Sequence, residues 1–329
     1  MLRAAFGLLP VLTFLAALVA LDSYKLVRLR AVLAVVACGM AVGVACYWMN
    51  GFALAQLGLE FRTYTRYLAP VIEEFTKALV LIALIRAHRI GFLVDAAILG
   101  FAVGAGFALV ENIFYLGQTS SSGLGLWIVR GFGTALMHGG ASAIFAVSSL
   151  SLVERTGRWQ AFLPGFVLAA ALHSAFNHIF SPFVSTVVVA GALPLVFYFV
   201  FARSERALSD WLGKGFDADT EMLALINSGG LLESPVGRYL HTLRARFHGT
   251  VLADLMGYLR LHTELALRAK GILLMRENGF EVPVDEATRE KFTELRYLEK
   301  SVGRTGLLAL HPLLHMSHRE LWQLYMLGK

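Results

Sequence analysis

Up to residue 202 the chain reads as long apolar runs separated by short polar breaks. The runs cover about residues 6–21, 31–49, 67–85, 92–116, 126–150, 161–180 and 183–201. Each is near the ~20 residues a helix needs to cross a bilayer. None alternates with the period of two that a barrel strand requires. The pattern predicts an all-α, polytopic membrane bundle of about seven transmembrane helices. The polar breaks set its orientation. Lys25, Arg28 and Arg30 follow the first run, Arg86, His88 and Arg89 the third, Arg155 and Arg158 the fifth, and Arg203 and Arg206 the seventh. The breaks after the fourth run (residues 117–123) and the sixth (Ser181-Pro182) carry no charge, and the break after the second is mixed. Cationic loops stay in the cytoplasm, so the N-terminus is expected outside and the C-terminus inside. Arg130 interrupts the pattern, but it lies near the outer end of its run and is expected to snorkel to the interface.

Beyond residue 202 the pattern changes to charged, helix-forming sequence. Residues 1–202 are therefore read as the transmembrane domain and 203–329 as a C-terminal helical cytosolic domain. Asn227-Ser228-Gly229-Gly230 marks a linker or turn. Ser234-Pro235 supplies an N-cap and a proline at the first helical position. A long amphipathic stretch is expected from there to about Asn278, stopped by Gly279. Asp285 opens another helix through about Lys300. Ser317-His318-Arg319-Glu320 reads as a capping box before a short last helix. His311, His315 and His318 fit helix-surface histidines better than a metal site, because no HExxH pattern accompanies them.

Composition agrees with this division. The 329 residues are 57% hydrophobic and 16% charged, against about 25% charged in soluble domains. The net charge of +6 does not point to nucleic acid. Residues 1–202 hold 12 Lys/Arg against 7 Asp/Glu, and residues 203–329 hold 17 against 16, so the excess belongs to membrane loops. Cys38 and Cys46 would stand about 12 Å apart on one helix, too far for a disulfide.

The candidate chemistry lies inside the apolar runs, where a charge costs about 2.5–3.5 kcal/mol on insertion scales. Glu73, Glu74 and Lys77 share the third run. Lys77 follows Glu73 by four residues and is expected to pair with it, leaving Glu74 about 100° round the helix. The fourth run carries Gly100, Gly104, Ala108 and Glu111 on one face. This small-residue stripe lets a neighbouring helix approach and turns Glu111 toward the bundle. Asn112 can hydrogen-bond to an adjacent helix. The fifth run carries Thr134, His138 and Ser142 on one face, and the sixth carries His173 and Asn177 at i and i+4. His178 lies on another face. Counted from the run ends, these groups share one outer-leaflet depth, which points to a single site.

Two chemistries remain open from the residues alone. A carboxylate in a dry pocket can activate water while His and Asn groups stabilise an oxyanion. Alternatively, Glu74, His138 and His173 form a candidate metal set, since two histidines and a carboxylate bind zinc. A proton-coupled transporter would also bury Glu and His, although no internal repeat supports one. A non-catalytic membrane scaffold is a third reading.

Taken together, the motifs resemble the PrsW family of intramembrane proteases, related to the CAAX prenyl endopeptidase and Abi superfamily. The resemblance covers about residues 60–200. It rests on Glu73-Glu74-x-x-Lys77, Phe107-x-x-x-Glu111-Asn112 with Tyr115 following, His138, and His173-x-x-x-Asn177. It implies hydrolysis of peptide bonds in membrane-associated substrates, including regulatory single-pass proteins such as anti-sigma factors. It also implies catalytic roles for Glu73, Glu74, Glu111, His138, His173 and Asn177, with Lys77 and Asn112 in support. Zinc or no cofactor are both compatible. The expected partners are a membrane-protein or peptide substrate and the lipid bilayer. For residues 203–329, position alone suggests regulation, dimerisation into a homo-oligomer, or substrate recruitment.

Overall fold

A computed structural model describes residues 2–118, 123–178, 182–280, 282–314 and Trp322. They are mostly helical, with no strand among them. The chain falls into two compact units, Met1–Glu205 and Arg206–Lys329.

In the first unit, α1 (Leu2–Ala20) and α2 (Leu29–Leu57) lead to a short α3 (Phe61–Thr63), a π-helical turn (Tyr64–Leu68) and α4 (Ala69–Arg86). Then come α5 (Leu93–Gln118) and α6 (Leu124–Val129). A second π-turn (Arg130–Ala135) passes into α7 (Leu136–Thr156), followed by α8 (Phe162–His178) and α9 (Pro182–Ser228). Six helical stretches among the described residues are long and apolar enough to cross a membrane. The expected third span is not among them. Its helix α4 holds Glu73, Glu74, Lys77 and Arg86 within 18 residues, too many charges for that class, although Val71, Phe75 and Leu79 are exposed along one face. The bundle's outer surface is apolar, with Trp48, Phe52, Leu163, Val187 and Phe199 exposed, as a lipid-facing surface requires. Helix α9 runs without a break past residue 202, where the sequence pattern placed the end of the last span.

Helix α5 is the axis of the bundle. Every residue from Val94 to Ala108 is buried, and α5 packs between α2 and α7. The close approaches need glycine. A Cβ on Gly104 would lie 2.1 Å from the His138 carbonyl oxygen, and one on Gly106 would lie 2.1 Å from that of Val36. The predicted small-residue stripe thus docks the helix that carries His138. A buried cluster including Leu81, Ile85, Ile98, Phe101, Phe145 and Leu150 completes the core.

The second unit holds the end of α9, α10 (Pro235–Leu243), α11 (Gly249–Glu277) and α12 (Glu286–Leu310). Gly229, at φ +76°, turns the chain after α9. The Gly237 amide donates to the Ser234 side chain, and the Thr288 amide donates to that of Asp285, so both expected caps form. The amphipathic stretch expected from Ser234 to Asn278 is broken after Leu243 and resumes at Gly249, which makes two helices. The helix after Asp285 continues beyond Lys300 to Leu310, kinked at Gly303 with φ +67°. His311 is exposed; His315 and the capping box at Ser317–Glu320 lie outside the described residues, as do Thr119–Ser122 and Ser181. Lys270 is buried, 2.6 Å from Asp219, with its ammonium over the Trp211 ring.

His262 is buried in α11 and its Nε2 has no hydrogen-bond partner among the described residues. Burial, then nearby Lys270, pulls its pKa down to about 4 from 6.5. Between those values the unfolded chain binds a proton that the folded unit refuses. The unit is therefore stabilised at neutral pH and loses up to about 3 kcal/mol as pH falls from ~6.5 to ~4. Thermal denaturation of the full chain at pH 7 and pH 5 should show the drop, and His262→Leu should flatten it.

Candidate active site

Helices α2, α4, α5, α7 and α8 and both π-turns line one cavity of about 1140 Å³. Its lining includes Glu73, Glu111, Arg130, Thr134, His138, His173 and Asn177 on the polar side. Tyr47, Trp48, Phe61, Phe107 and Phe114 line it on the apolar side. π-turns widen the helix and re-aim side chains, and they are frequent at functional sites.

The first π-turn has a local cause. The Ala69 amide bonds to the Tyr64 carbonyl, one residue further back than in an α-helix, and Pro70 has no N–H to donate. Thr65 and Arg66 carbonyls therefore lose their usual donors and need others. Asn177 Nδ2 donates to Thr65 O at 2.9 Å, and Ser174 Oγ donates to Arg66 O at 2.6 Å. The His173-x-x-x-Asn177 segment of α8 is thereby tied to the front of α4. The Asn177 amide is engaged in docking two elements.

The carboxylates of α4 part company. Lys77 pairs with Glu74 at 2.6 Å, both almost fully buried, and not with Glu73 as the four-residue spacing suggested. On this helix the three-residue pair faces inward together, while Glu73 turns to the cavity. There Glu73 accepts a hydrogen bond from Asn50 Nδ2 at 2.9 Å, and Tyr64 OH donates to Asn50 Oδ1 at 2.8 Å. The two histidines sit edge to face, ring centroids 4.7 Å apart. His173 Nδ1 is 2.8 Å from Glu74 Oε1, and its Nε2 is 3.9 Å from Glu73 Oε2. His138 Nδ1 is 3.2 Å from Lys77 Nζ, and its Nε2 is 3.1 Å from Glu111 Oε2. Phe107 packs under this group, with the Lys77 ammonium 4.5 Å from its ring centre. The charges form one connected network.

The cation at position 130 overturns the snorkelling expectation. Arg130 is buried and faces inward, 3.3 Å from Glu111 Oε2, with Nε donating to Asn112 Oδ1 at 2.8 Å. Asn112 in turn donates to Gly7 O on α1 at 2.7 Å, the expected bond to an adjacent helix. The three glutamates face Lys77 and Arg130. If all were ionised, one negative charge would remain for neutral histidines to surround.

One ligand atom each from Glu73, His138 and His173 lies within 4.8 Å of the others. The carboxylate that joins the two histidines is thus Glu73, whereas the candidate set read from the sequence used Glu74. Glu74 Oε1 is already engaged by Lys77 and His173. A comparison with family profiles matches residues 27–203 to the PrsW family intramembrane metalloproteases. The chain belongs to this family. No curated protein and no solved structure gives a match. As a PrsW family member the protein is a membrane-embedded protease, and its family is described as metal-dependent. The donor set fits that description, because two imidazoles and a carboxylate are a common zinc combination. Glu74 against His173 Nδ1 also repeats the carboxylate–histidine pairing that orients metal ligands.

The residues missed from sequence are Asn50, Tyr64 and Arg130. Arg130 carried a usable signal, since a lone cation within an apolar run is functional by default. Asn50 and Tyr64 lie at the edges of runs, where polar residues are ordinary.

Proposed function

We propose that the chain hydrolyses peptide bonds of membrane-bound polypeptides at the Glu73, His138 and His173 cluster. The observation that carries the proposal is that these three side chains, from three helices, present ligand atoms to one cavity. Glu73 is the activating carboxylate, held by Asn50 and facing the open volume. Glu74 accepts the Nδ1 proton of His173 and so directs the Nε2 lone pair toward Glu73. Lys77 donates to His138 Nδ1 and neutralises Glu74. Glu111 accepts the Nε2 proton of His138 and fixes its ring. Asn177 acts first by holding α8 against α4, and it can reach an oxyanion only where its amide is released from Thr65. A zinc ion held by Glu73, His173 and one His138 nitrogen, released from Lys77 or Glu111, would supply Lewis-acid activation of water.

Anti-sigma-like single-pass proteins are the proposed substrate class, and the cationic breaks support an N-terminus outside and residues 203–329 in the cytoplasm. Homo-oligomerisation belongs to the same proposal. The metal is tested by stripping the purified protein with a chelator and measuring both metal content and cleavage of a reporter peptide. Activity should fall at least about 100-fold, and zinc should restore it. Full cleavage by metal-free protein would leave Glu73 as a general base acting alone.

A further inference from the structure

Most polar groups around the cavity are already engaged with one another. Asn50 and Tyr64 serve Glu73, both ring nitrogens of His138 face charged neighbours, and the Asn177 amide is spent on Thr65 O. Thr134 differs. It lines the same cavity, four residues before His138. Residues four apart on a helix carry their Cβ atoms about 5–6 Å from each other. Thr134 is half-buried, and its hydroxyl makes no hydrogen bond among the described residues. The oxygen is not sealed in protein, so a group in the cavity can reach it.

Helical threonines commonly bond back to a carbonyl three or four residues earlier, as Thr65, Thr76, Thr186 and Thr263 do. Thr134 lies instead in the π-turn Arg130–Ala135, a geometry frequent at functional sites. Its hydroxyl keeps a proton to donate. Glu73 and Glu111, when ionised, can only accept, while Lys77 and Arg130 are held by carboxylates. The other donors left free in the lining, on Tyr47, Trp48 and Gln118, belong to exposed residues.

We propose that Thr134 is a catalytic residue whose hydroxyl donates to the carbonyl oxygen of the scissile peptide as that oxygen gains negative charge. The proposal rests on the reading of the cavity as a peptide-hydrolysing centre and deepens it by naming the oxyanion donor. A donor preset where charge develops stabilises the transition state more than the bound substrate.

The test compares Thr134→Val with Thr134→Ser in the detergent-solubilised full chain, using a fluorogenic peptide. Valine removes the hydroxyl and serine keeps it. For Thr134→Val, kcat should fall about 100-fold while KM stays within about twofold of wild type. Thr134→Ser should stay within about tenfold of the wild-type kcat. A Thr134→Val kcat within about threefold of wild type, or a loss confined to KM, overturns the proposal. So does a Thr134→Ser as slow as Thr134→Val, which marks a packing role. A second measurement needs no turnover. A peptide trifluoromethyl ketone adds water and presents an oxygen that mimics the oxyanion. It should bind Thr134→Val about 100-fold more weakly than wild type, while the matching amide peptide binds both alike. Equal weakening of both ligands, or of neither, contradicts the proposal. If wild type cleaves no peptide, the hydrolase reading falls and the Thr134 role falls with it. If wild type cleaves, Glu73→Gln does not, and Thr134→Val cleaves normally, only the Thr134 role falls.

Discussion

Glu73→Gln should abolish cleavage while leaving the fold intact. The side chain is partly exposed to the cavity, and its partner Asn50 can still bond to an amide oxygen. Stability should therefore change by less than about 1 kcal/mol. What disappears is the negative oxygen facing His173. A positioned general base contributes about 10²–10⁴-fold to rate, and loss of a metal ligand acts in the same direction. Turnover of a fluorogenic peptide should fall by at least about 100-fold, with a helical melting curve that overlays wild type.

Glu74→Gln should differ in kind. Glu74 and Lys77 are nearly inaccessible to solvent and 2.6 Å apart. Removing one charge strands the other, and broken buried pairs cost about 3–5 kcal/mol. The same substitution removes the acceptor on His173 Nδ1, so activity should fall with stability. The pair Glu74→Leu with Lys77→Met should recover much of the stability, because replacing both partners by apolar groups is often nearly neutral. It should recover no activity, since His173 and His138 each lose a partner. Melting temperature and cleavage rate measured on both variants separate the structural part of Glu74 from its catalytic part. Equal stability of Glu74→Gln and wild type would contradict the buried pairing.

Much of the bundle could be read from residue patterns. The apolar runs gave the helices of the membrane unit because a bilayer leaves the backbone few options. Gly100 and Gly104 gave the face that meets α7. The grouping of Glu73, Glu111, His138 and His173 followed from depth along separate helices, since each is placed by a fixed rise per residue. Pairing within the group was less legible. Whether Lys77 takes Glu73 or Glu74 depends on where α4 is rotated, and the π-turn before it sets that rotation. Nothing in Tyr64–Leu68 announces a π-turn except Pro70 just beyond. Arg130 was misplaced for a related reason. Position along a span does not say whether a side chain faces lipid or the interior, and its partners Glu111 and Asn112 lie on another helix. The break after Leu243 also escaped, because Arg244-Ala245-Arg246 is good helix-forming sequence.

The acids and imidazoles of separate helices are proposed to form one hydrolytic centre. Its most direct test is cleavage of a membrane-anchored reporter polypeptide by the purified protein in proteoliposomes, with fragments identified by mass spectrometry. Wild type should produce defined fragments, and Glu73→Gln, His138→Ala and His173→Ala, each shown to be folded, should produce none. Fragments at the wild-type rate from the three variants, or proton flux in wild-type vesicles with no fragment at all, would contradict it.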